Sequence, residues 1–480
     1  PDSYNTPLSG SYRYTYDTER RMTGQIFPSG KAIVLDYTNP DDAGDKSRLW
    51  QIQTPEGNVD FTYVDGSKVA SVTKDAESIA YNYDGSLVTS QSLTGTVNQT
   101  LDYTYNNDFN LDAMTYAGAT ENFSYDNDGL LTGAGDFIIS RYNEPGINET
   151  GLPYAVSNGT LNLNRTFNGY GETDSEIAAV NSQDIFNWNV TDRYADGRIK
   201  TKTETIGGVT TTFDYTYDAV GRLLTVEKDS SLVEEYAYDS LPYGTCTYAV
   251  NTQRGITDRT LNYDDEDHLL SAGDADYQYD VDGFLTSKTI GTESTTYDYS
   301  TRGELLAVDL PDGTAIEYVH DPLGRRIAKK VNGAITEKYL WQGLTTLLAV
   351  YDGADNLLMR FRYADGRMPV AVEREGVVYY LAYDQVGSLR AVADAAGNVV
   401  KEVRYDSFGY ILSDSDPAFE VPFGFAGGLH DRDTGLVRFG YRDYDPDTGR
   451  WTAKDPIGFA GGDSDLYGYV LNDPVNLIDP

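Results

Sequence analysis

A tetrapeptide that returns along most of the chain constrains its fold more than any other feature. Tyr-x-Tyr-Asp stands at five places in the 480-residue sequence, and a glycine often follows three residues later. Together with degenerate copies, the motif returns at intervals of about 20 residues, and a period of this size indicates a repeat architecture. The full copies are Tyr14–Asp17, Tyr81–Asp84, Tyr215–Asp218, Tyr236–Asp239 and Tyr277–Asp280; the glycines are Gly129, Gly221, Gly283, Gly303, Gly324, Gly387 and Gly409.

Each repeat predicts one β-hairpin. Tyrosines at i and i+2 lie on the same face of a strand, because side chains alternate with period two. The aspartate accepts local N–H groups and the glycine takes a positive φ, so Asp-x-x-Gly reverses the chain. The segment that follows, as in Gly221–Glu227, alternates again and returns antiparallel. Few stretches keep a helical period. The sequence therefore predicts an all-β chain of successive antiparallel hairpins.

Tyrosine dominates the aromatic content, with 40 residues against 16 phenylalanines, and only 40% of the chain is hydrophobic. A tyrosine ring packs like an apolar group while its hydroxyl can stay hydrated. This composition suits a long hairpin ribbon coiled into a hollow shell with partly wet walls. Several small sandwiches would have the same composition, so the residues alone leave both arrangements open. Between Arg141 and Arg193 the motif is lost, which predicts longer or irregular hairpins there.

The last 43 residues, Arg438–Pro480, are different in kind and are called here the closing block. Asp-Pro occurs in it four times, at 445, 455, 473 and 479, together with six glycines. Proline, aspartate and glycine are turn formers, so the block predicts closely spaced bends. It resembles the core domain that closes RHS and YD-repeat proteins, and the upstream repeats resemble their YD repeats. The resemblance implies a spiralling β-hairpin shell, or β-cocoon, over residues 1–400 and an inward-curling core domain, a plug, over 401–480.

The resemblance also implies a catalytic site. In RHS proteins and the C subunits of toxin complexes, an Arg-Asp pair and an aspartate twelve residues further on form an aspartyl autoprotease. Arg442, Asp443 and Asp455 reproduce this spacing. The family enzyme cuts its own chain after a second Asp-Pro-x-Gly motif, whose first two residues correspond to Asp479 and Pro480. The protease therefore implies no turnover on external substrates.

The residues themselves favour a simpler interpretation, in which these aspartates only form turns. A hairpin turn over Asp445–Gly449 would place Asp443 opposite Trp451. Asp455 lies four residues beyond, so a bend at Asp455-Pro456 is needed to bring the two carboxylates together. If they do meet, one stays protonated and acts as acid while the other acts as base.

Charge and composition exclude several other classes. A net charge of −38 repels phosphate backbones and other copies of the chain, so we expect no nucleic-acid partner and a monomer. No apolar run is long enough to predict a membrane span. The three histidines, His268, His320 and His430, are far apart and Cys246 is alone, so we expect no metal and no cofactor.

Two functions remain. The first is a container that encloses its own C-terminal effector or toxin segment, works with a delivery or secretion apparatus, and is secreted or held at the cell surface. The second is a teneurin-like adhesion or recognition module that binds proteins or glycans. The chain begins at Pro1 and stops within a motif, so we expect it to be an excerpt of a longer polypeptide.

Overall fold

A computed structural model describes residues 3–8, 10–41, 44–142, 150–239 and 244–479. The described residues form 43 β-strands and four short 3-10 helices, and none of them lies in an α-helix. The predicted all-β class is confirmed. The 3-10 helices are Thr252–Arg254, Phe425–Gly427, Gly458–Gly461 and Val470–Asn472.

The strands in chain order are β1 Ser3–Asn5, β2 Ser11–Tyr16, β3 Met22–Ile26, β4 Ala32–Asp36, β5 Gln51–Thr54, β6 Gly57–Val64, β7 Lys68–Lys74, β8 Glu77–Asp84, β9 Leu87–Thr94, β10 Gln99–Tyr105, β11 Leu111–Tyr116, β12 Ala119–Tyr125, β13 Leu131–Ala134, β14 Phe137–Arg141, β15 Pro153–Ser157, β16 Leu161–Phe167, β17 Thr173–Val180, β18 Gln183–Arg193, β19 Ile199–Ile206, β20 Val209–Tyr217, β21 Leu223–Lys228, β22 Ser231–Tyr238, β23 Cys246–Asn251, β24 Ile256–Tyr263, β25 Leu269–Ala272, β26 Ala275–Tyr279, β27 Leu285–Ile290, β28 Glu293–Tyr299, β29 Leu305–Asp309, β30 Ala315–His320, β31 Arg326–Val331, β32 Ala334–Gln342, β33 Thr346–Tyr351, β34 Leu357–Arg362, β35 Ala371–Arg374, β36 Val377–Tyr383, β37 Leu389–Asp394, β38 Val399–Tyr405, β39 Ile411–Asp414, β40 Leu429–His430, β41 Val437–Phe439, β42 Arg442–Asp445 and β43 Arg450–Trp451.

The topology is a single meander. Each strand from β1 to β38 pairs antiparallel with the strand that follows it, so 39 strands form one continuous ladder. The ladder continues past residue 400 and ends with β39 at Asp414. A separate sheet of four short strands, β40 to β43, begins at Leu429.

The repeat aspartates form the hairpin turns, as Asp218 illustrates. Its backbone N–H donates to the carbonyl of Arg222, and the N–H of Gly221 donates back to the carbonyl of Asp218. Its Oδ1 accepts from the backbone N–H groups of Val220, Gly221 and Arg222 at 2.8–3.0 Å. All seven glycines of the motif have φ between 78° and 101°. This is the left-handed region that side chains disfavour, which confirms the predicted role of these glycines.

The second tyrosine of the motif has a role that the sequence did not reveal. Its hydroxyl donates to a carbonyl at the start of the preceding strand, for example from Tyr83 to Val69 at 2.7 Å and from Tyr105 to Val88 at 2.8 Å. The expectation that hydroxyls stay hydrated is therefore wrong at these positions. The same bond is made by Tyr125, Tyr217, Tyr238, Tyr263 and Tyr363.

The ladder is irregular at many of these tyrosines. Its register shifts between Asn82 and Tyr83, between Thr104 and Tyr105, and between Thr216 and Tyr217. A β-bulge of this kind bends the strand and increases its right-handed twist. Because the bulge recurs once per hairpin, the ribbon coils.

Coiling brings distant strands face to face, and their separation in sequence falls along the chain. The Tyr12 hydroxyl donates to the carbonyl of Asp282, 270 residues away, and Tyr116 donates to Phe361, 245 residues away. Further on, Arg141 meets Asp365 at a separation of 224, and later contacts span 186, 173 and 155 residues. One turn of the spiral therefore takes fewer residues as it approaches the C-terminus. The spiral narrows toward the closing block.

The accessible surface fits a shell whose inner wall is partly open to solvent. The structure exposes 21297 Å². A compact globule of 53.0 kDa would expose about 18,000 Å² by the usual size scaling. The apolar residues are divided among several clusters around the wall, one of which joins Phe186 of β18 to Ala391 of β37. The predicted β-cocoon is the observed fold.

The region without clear repeats is also described in part. β18 is the longest strand, with 11 residues, and its pairing with β19 shifts register twice, around Val190–Arg193. The prediction of longer or irregular hairpins is confirmed for this strand. Residues 143–149 lie outside the described part of the chain.

Candidate functional site

The closing block turns through a tight hairpin formed by β42 and β43. Tyr444 pairs with Trp451 and Asp445 pairs with Arg450. The expected register, with Asp443 opposite Trp451, is therefore wrong by one residue. The reason is the turn itself, since Thr448 and Gly449 both donate their N–H groups to the carbonyl of Asp445.

Arg442 lies at the centre of a small charge cluster. Its Nη1 lies 3.1 Å from Oδ2 of Asp455, and its Nη2 donates to Oδ2 of Asp479 at 2.7 Å. The guanidinium also lies over Trp451, 4.0 Å from the ring centroid. Contact with an aromatic face and two carboxylates holds an arginine in one orientation. Burial lowers the pKa of Arg442, while Asp455 and Asp479 oppose that shift.

Asp443 follows Arg442 in β42, and its side chain therefore belongs to the opposite face of the strand. Its Oδ1 accepts from Nη2 of Arg326 at 2.8 Å, and its Oδ2 accepts from Nη1 of Arg438 at 2.7 Å. Only 1% of the side chain is exposed. The structure thus brings Arg442 to Asp455, and it places the carboxylate of Asp443 between two other arginines.

A turn fixes Asp455 beside Arg442. Its backbone N–H donates to the carbonyl of Leu466, and its Oδ1 accepts from the N–H of Ile457 at 2.9 Å. The remaining oxygen, Oδ2, is the one that faces Arg442. A turn does begin at Asp455-Pro456, since the N–H of Gly458 donates to the carbonyl of Asp455.

The resemblance to RHS proteins places Asp479 only in the Asp-Pro-x-Gly motif that precedes the bond to be cleaved. In the structure it binds the same guanidinium as Asp455. Burial raises the pKa of Asp479, Arg442 opposes this, and the negative charge of Asp455 adds to it. Asp455 and Asp479 therefore place two carboxyl groups around one cation. Pro480 lies outside the described residues.

Basic residues of the shell wall bind Asp447 of the closing block. Asp447 accepts from Arg259 at 2.9 and 3.1 Å and from Lys288 at 2.9 Å, and Arg254 also binds it. Burial works against its charge, yet Lys288, Arg259 and Arg254 hold the pKa of Asp447 well below its usual range. These partners lie up to 193 residues upstream. No spacing in the sequence pointed to them.

A cavity of about 760 Å³ lies beside the segment that carries Asp479. Leu471, Leu477 and Ile478 line it and are 45%, 41% and 39% exposed. Its opposite side is formed by the strand wall and includes Arg165, Arg193, Arg198, Phe167 and Trp188. The residues just before Pro480 therefore border this cavity as well as the charge cluster.

The described residues contain no group of three His, Cys, Asp or Glu side chains arranged to hold a metal ion. They also contain no helix long and apolar enough to cross a bilayer.

The comparisons with known proteins agree with this architecture. The sequence model of a family described as Teneurin YD-shell matches residues 3–475. The chain belongs to the teneurin YD-shell family. Teneurin-3 of Danio rerio is 29% identical over 508 residues, and the alignment covers 99% of this chain but 18% of the teneurin. Teneurin-m of Drosophila melanogaster is 30% identical over 324 residues, which cover 65% of this chain and 11% of that protein.

Solved structures show the same fold in a toxin. A crystal structure of TcdB2-TccC3 superposes with a TM-score of 0.75 at 16% identity, covering 100% of this chain and 28% of that one. TcdB2-TccC3 without its hypervariable C-terminal region gives a TM-score of 0.64, again at 16% identity, with 100% and 28% covered. At this identity the likeness concerns the fold alone. The YD shell described here is thus shared with teneurins in sequence and with a toxin complex in structure.

Proposed function

We propose that this YD shell encloses a segment of its own polypeptide that follows Pro480, and that it releases this segment by cutting its own chain. The observation that carries the proposal is the position of Asp479. Arg442 holds Asp479 beside Asp455, and the neighbouring residues Leu477 and Ile478 line a cavity, so the chain that continues from Pro480 would start at the candidate site.

The chemistry follows from the cluster. An ionised carboxylate removes a proton from a water molecule, whose oxygen adds to the scissile carbonyl, and the protonated carboxyl of the pair donates to the departing amide nitrogen. The C–N bond breaks and leaves one carboxyl and one amine. Arg442 and Asp455 lie at the reacting centre. Asp479, which belongs to the segment that leads into Pro480, supplies the second carboxyl group. Asp443 holds β42 in place from its other face through Arg326 and Arg438.

An intramolecular substrate makes a modest catalyst sufficient, because its effective concentration is very high. We therefore expect no turnover on added peptides. A shell of this kind would be secreted or exposed at the cell surface, work as a monomer, and meet a delivery or secretion apparatus.

The test is to extend the chain through the residues that follow Pro480 in its gene and to measure fragment size on a denaturing gel. We expect the extended chain to be cut. Asp455→Asn should stop the cut and keep the melting temperature close to that of the parent. Asp443→Asn should lower the melting temperature, because it removes the charge between two buried arginines.

An uncut extended chain would reject the self-cleavage proposal. Normal cutting in Asp455→Asn would reject the assigned residues and leave them as turn formers. Asp312→Asn is a matched control, since this exposed aspartate lies in a hairpin turn far from the site in sequence.

A second candidate has its own support, since the sequence is closer to teneurins, at 29% identity, than to the toxin structure, at 16%. In this alternative the shell is an adhesion or recognition module that binds proteins or glycans, and no segment is released. Two results together would favour this alternative. The shell would be retained on a teneurin-binding surface or a glycan array, and the extended chain would stay intact.

A further inference from the structure

A second pair of carboxyl groups lies away from the candidate cleavage site, where the strand wall meets the Asp-x-x-Gly turn that follows β38. Glu234 belongs to β22, and Asp406 begins the turn that continues through Gly409. Both residues are almost inaccessible, with 2% and 5% exposure. Neither residue has a role in the self-cleavage proposed above, so the burial of both carboxyl groups in one place requires an explanation.

All the hydrogen-bond partners of the Asp406 carboxylate are donors. Its Oδ1 accepts from the backbone N–H groups of Phe408 and Tyr410 at 3.1 and 2.9 Å. Its Oδ2 accepts from Nδ2 of Asn251 at 2.9 Å and from Nη1 of Arg254 at 3.4 Å. Such an environment suits an ionised carboxylate, since a proton on Asp406 would face donors only.

Glu234 has a different set of partners. Its Oε1 accepts from the backbone N–H of Ser407 at 3.2 Å, and its Oε2 bonds the hydroxyl of Tyr236 at 2.8 Å. A hydroxyl can reverse its role and accept a proton from a carboxylic acid. A proton shared by the two carboxyls therefore resides on Glu234.

The surroundings favour one shared proton near neutral pH. Burial raises the pKa of Glu234, and burial followed by the charge of Glu234 raises the pKa of Asp406 to about 7, with Arg254 opposing. Arg254 is itself shared with Asp447. Both carboxyls border a cavity of about 290 Å³, whose other charged residues are Lys202, Glu204, Lys228, Asp384, Arg390 and Arg404.

The turn that bears Asp406 connects the shell to the closing block. The carbonyl of Phe408 accepts from the hydroxyl of Tyr444 at 2.7 Å, and the ring of Phe408 packs edge-on against Tyr236. Arg254 lies 3.9 Å above the ring of Tyr410. A change at the two carboxyls therefore reaches both the wall and the closing block.

We propose that Glu234 and Asp406 form a proton-operated latch between β22 and the turn of residues 406–409. With one proton shared, Glu234 bonds Ser407 and Tyr236 and the seam is closed. With both groups ionised, the two carboxylates repel each other with Arg254 as their shared cation, and the turn separates from the wall. The latch does not depend on self-cleavage.

The sign follows from proton linkage. An open turn returns both groups to ordinary pKa values near about 4, whereas the closed seam keeps its proton up to about pH 7. The closed state is therefore most favoured below about pH 4, loses stability between about pH 4 and 7, and changes little above. With one linked proton, the opening constant rises by up to about tenfold per pH unit in that window.

Hydrogen exchange on the 480-residue chain tests the latch. Exchange of peptides covering residues 405–411 is measured at pH 5, 6, 7 and 8 and corrected for the intrinsic pH dependence of amide exchange. We expect opening to increase up to about tenfold per unit from pH 5 to 7 and to level off by pH 8. Glu234→Gln, which keeps the shape of the protonated acid, should make the profile flat.

Asp473→Asn is the matched control. Asp473 is also buried, with a pKa raised by burial to about 6, but it contacts Asn476 and Arg198 rather than the turn. It should leave the slope at 405–411 unchanged. A flat profile in the unaltered chain, or a slope that persists in Glu234→Gln, overturns the proposal. If Glu234→Gln fails to fold, the profile of the unaltered chain still decides.

Discussion

The N-terminal ribbon, β6 through β12, and the closing block are stabilised in opposite ways. In the ribbon each strand bonds its neighbours, tyrosine hydroxyls reach carbonyls 14 to 17 residues away, and exposed pairs such as Thr115 and Thr120 join adjacent strands. In the closing block Asp447 is held by residues up to 193 positions upstream, and Tyr444 and Trp451 belong to one buried aromatic cluster. Local bonds repeat in the ribbon, where a smaller number of distant contacts such as Tyr116 with Phe361 add to them, whereas distant bonds converge in the closing block.

The difference predicts how each region responds to damage. In a ribbon of similar hairpins, each substitution removes only a small contribution to the free energy of unfolding, because the contacts are mostly between neighbouring strands. The closing block depends on a few buried ion clusters, and removal of one partner leaves other charges buried without compensation. The comparison can be tested with the same chemical change made in both regions.

The largest effect is expected for Asp447→Asn. Removal of its charge leaves Arg254, Arg259 and Lys288 close together, with Asp445, Asp406 and Glu234 as nearby acidic groups. We expect a loss of about 3 kcal/mol in the free energy of unfolding, measured by urea denaturation. The matched change is Asp126→Asn in a ribbon turn, where Asn106 already fills the equivalent place one repeat earlier. It should cost less than about 0.5 kcal/mol, and equal losses would remove the distinction between the regions.

A smaller effect is expected for Tyr444→Phe. The change removes the buried hydrogen bond to the carbonyl of Phe408 but keeps the ring within the aromatic cluster. A buried acceptor without a donor costs about 1–2 kcal/mol. Thermal unfolding should show this loss, and hydrogen exchange should show faster opening of residues 405–411. A stability unchanged from the parent would mean that this bond does not join the turn to the closing block.

The smallest effect is expected for Tyr83→Phe in the ribbon. The carbonyl of Val69 loses its donor but lies close to solvent, so we expect about 0.5–1 kcal/mol. Tyr105→Phe should cost a similar amount, and the double variant should equal the sum within about 0.5 kcal/mol, since the two bonds share no group. Strong non-additivity would show that the ribbon is more cooperative than its local bonds imply.

Much of the fold was predictable because its determinants are local. Asp-x-x-Gly fixes a turn through bonds within five residues, so motifs such as Asp218–Gly221 could be read directly from the sequence. The bond from Tyr83 to Val69 was not predicted, although the repeat places both residues at fixed offsets. It requires a β-bulge, and a bulge leaves no mark in a pattern of alternating residues.

The site could be predicted only in part. The resemblance to RHS proteins implied Arg442 and Asp455, and the structure places them in contact. The position of Asp443 could have been anticipated, since neighbours in a strand point to opposite faces. Its partner Arg326 could not, because that contact depends on how the spiral closes over 117 residues.

The narrowing spiral has a consequence for synthesis. Tyr116 of the ribbon can bond Phe361 only after 245 more residues have been synthesised. Glu234, near the closing block, can bond Ser407 after 173 more. At ribosomal rates of about 5–20 residues per second, the first interval lasts about 12–50 s. During that time the nascent ribbon exposes a face that will later be covered. The hydroxyl bonds between neighbouring hairpins are available throughout this wait, so they could protect the emerging strands from pairing with other chains before the wall is complete.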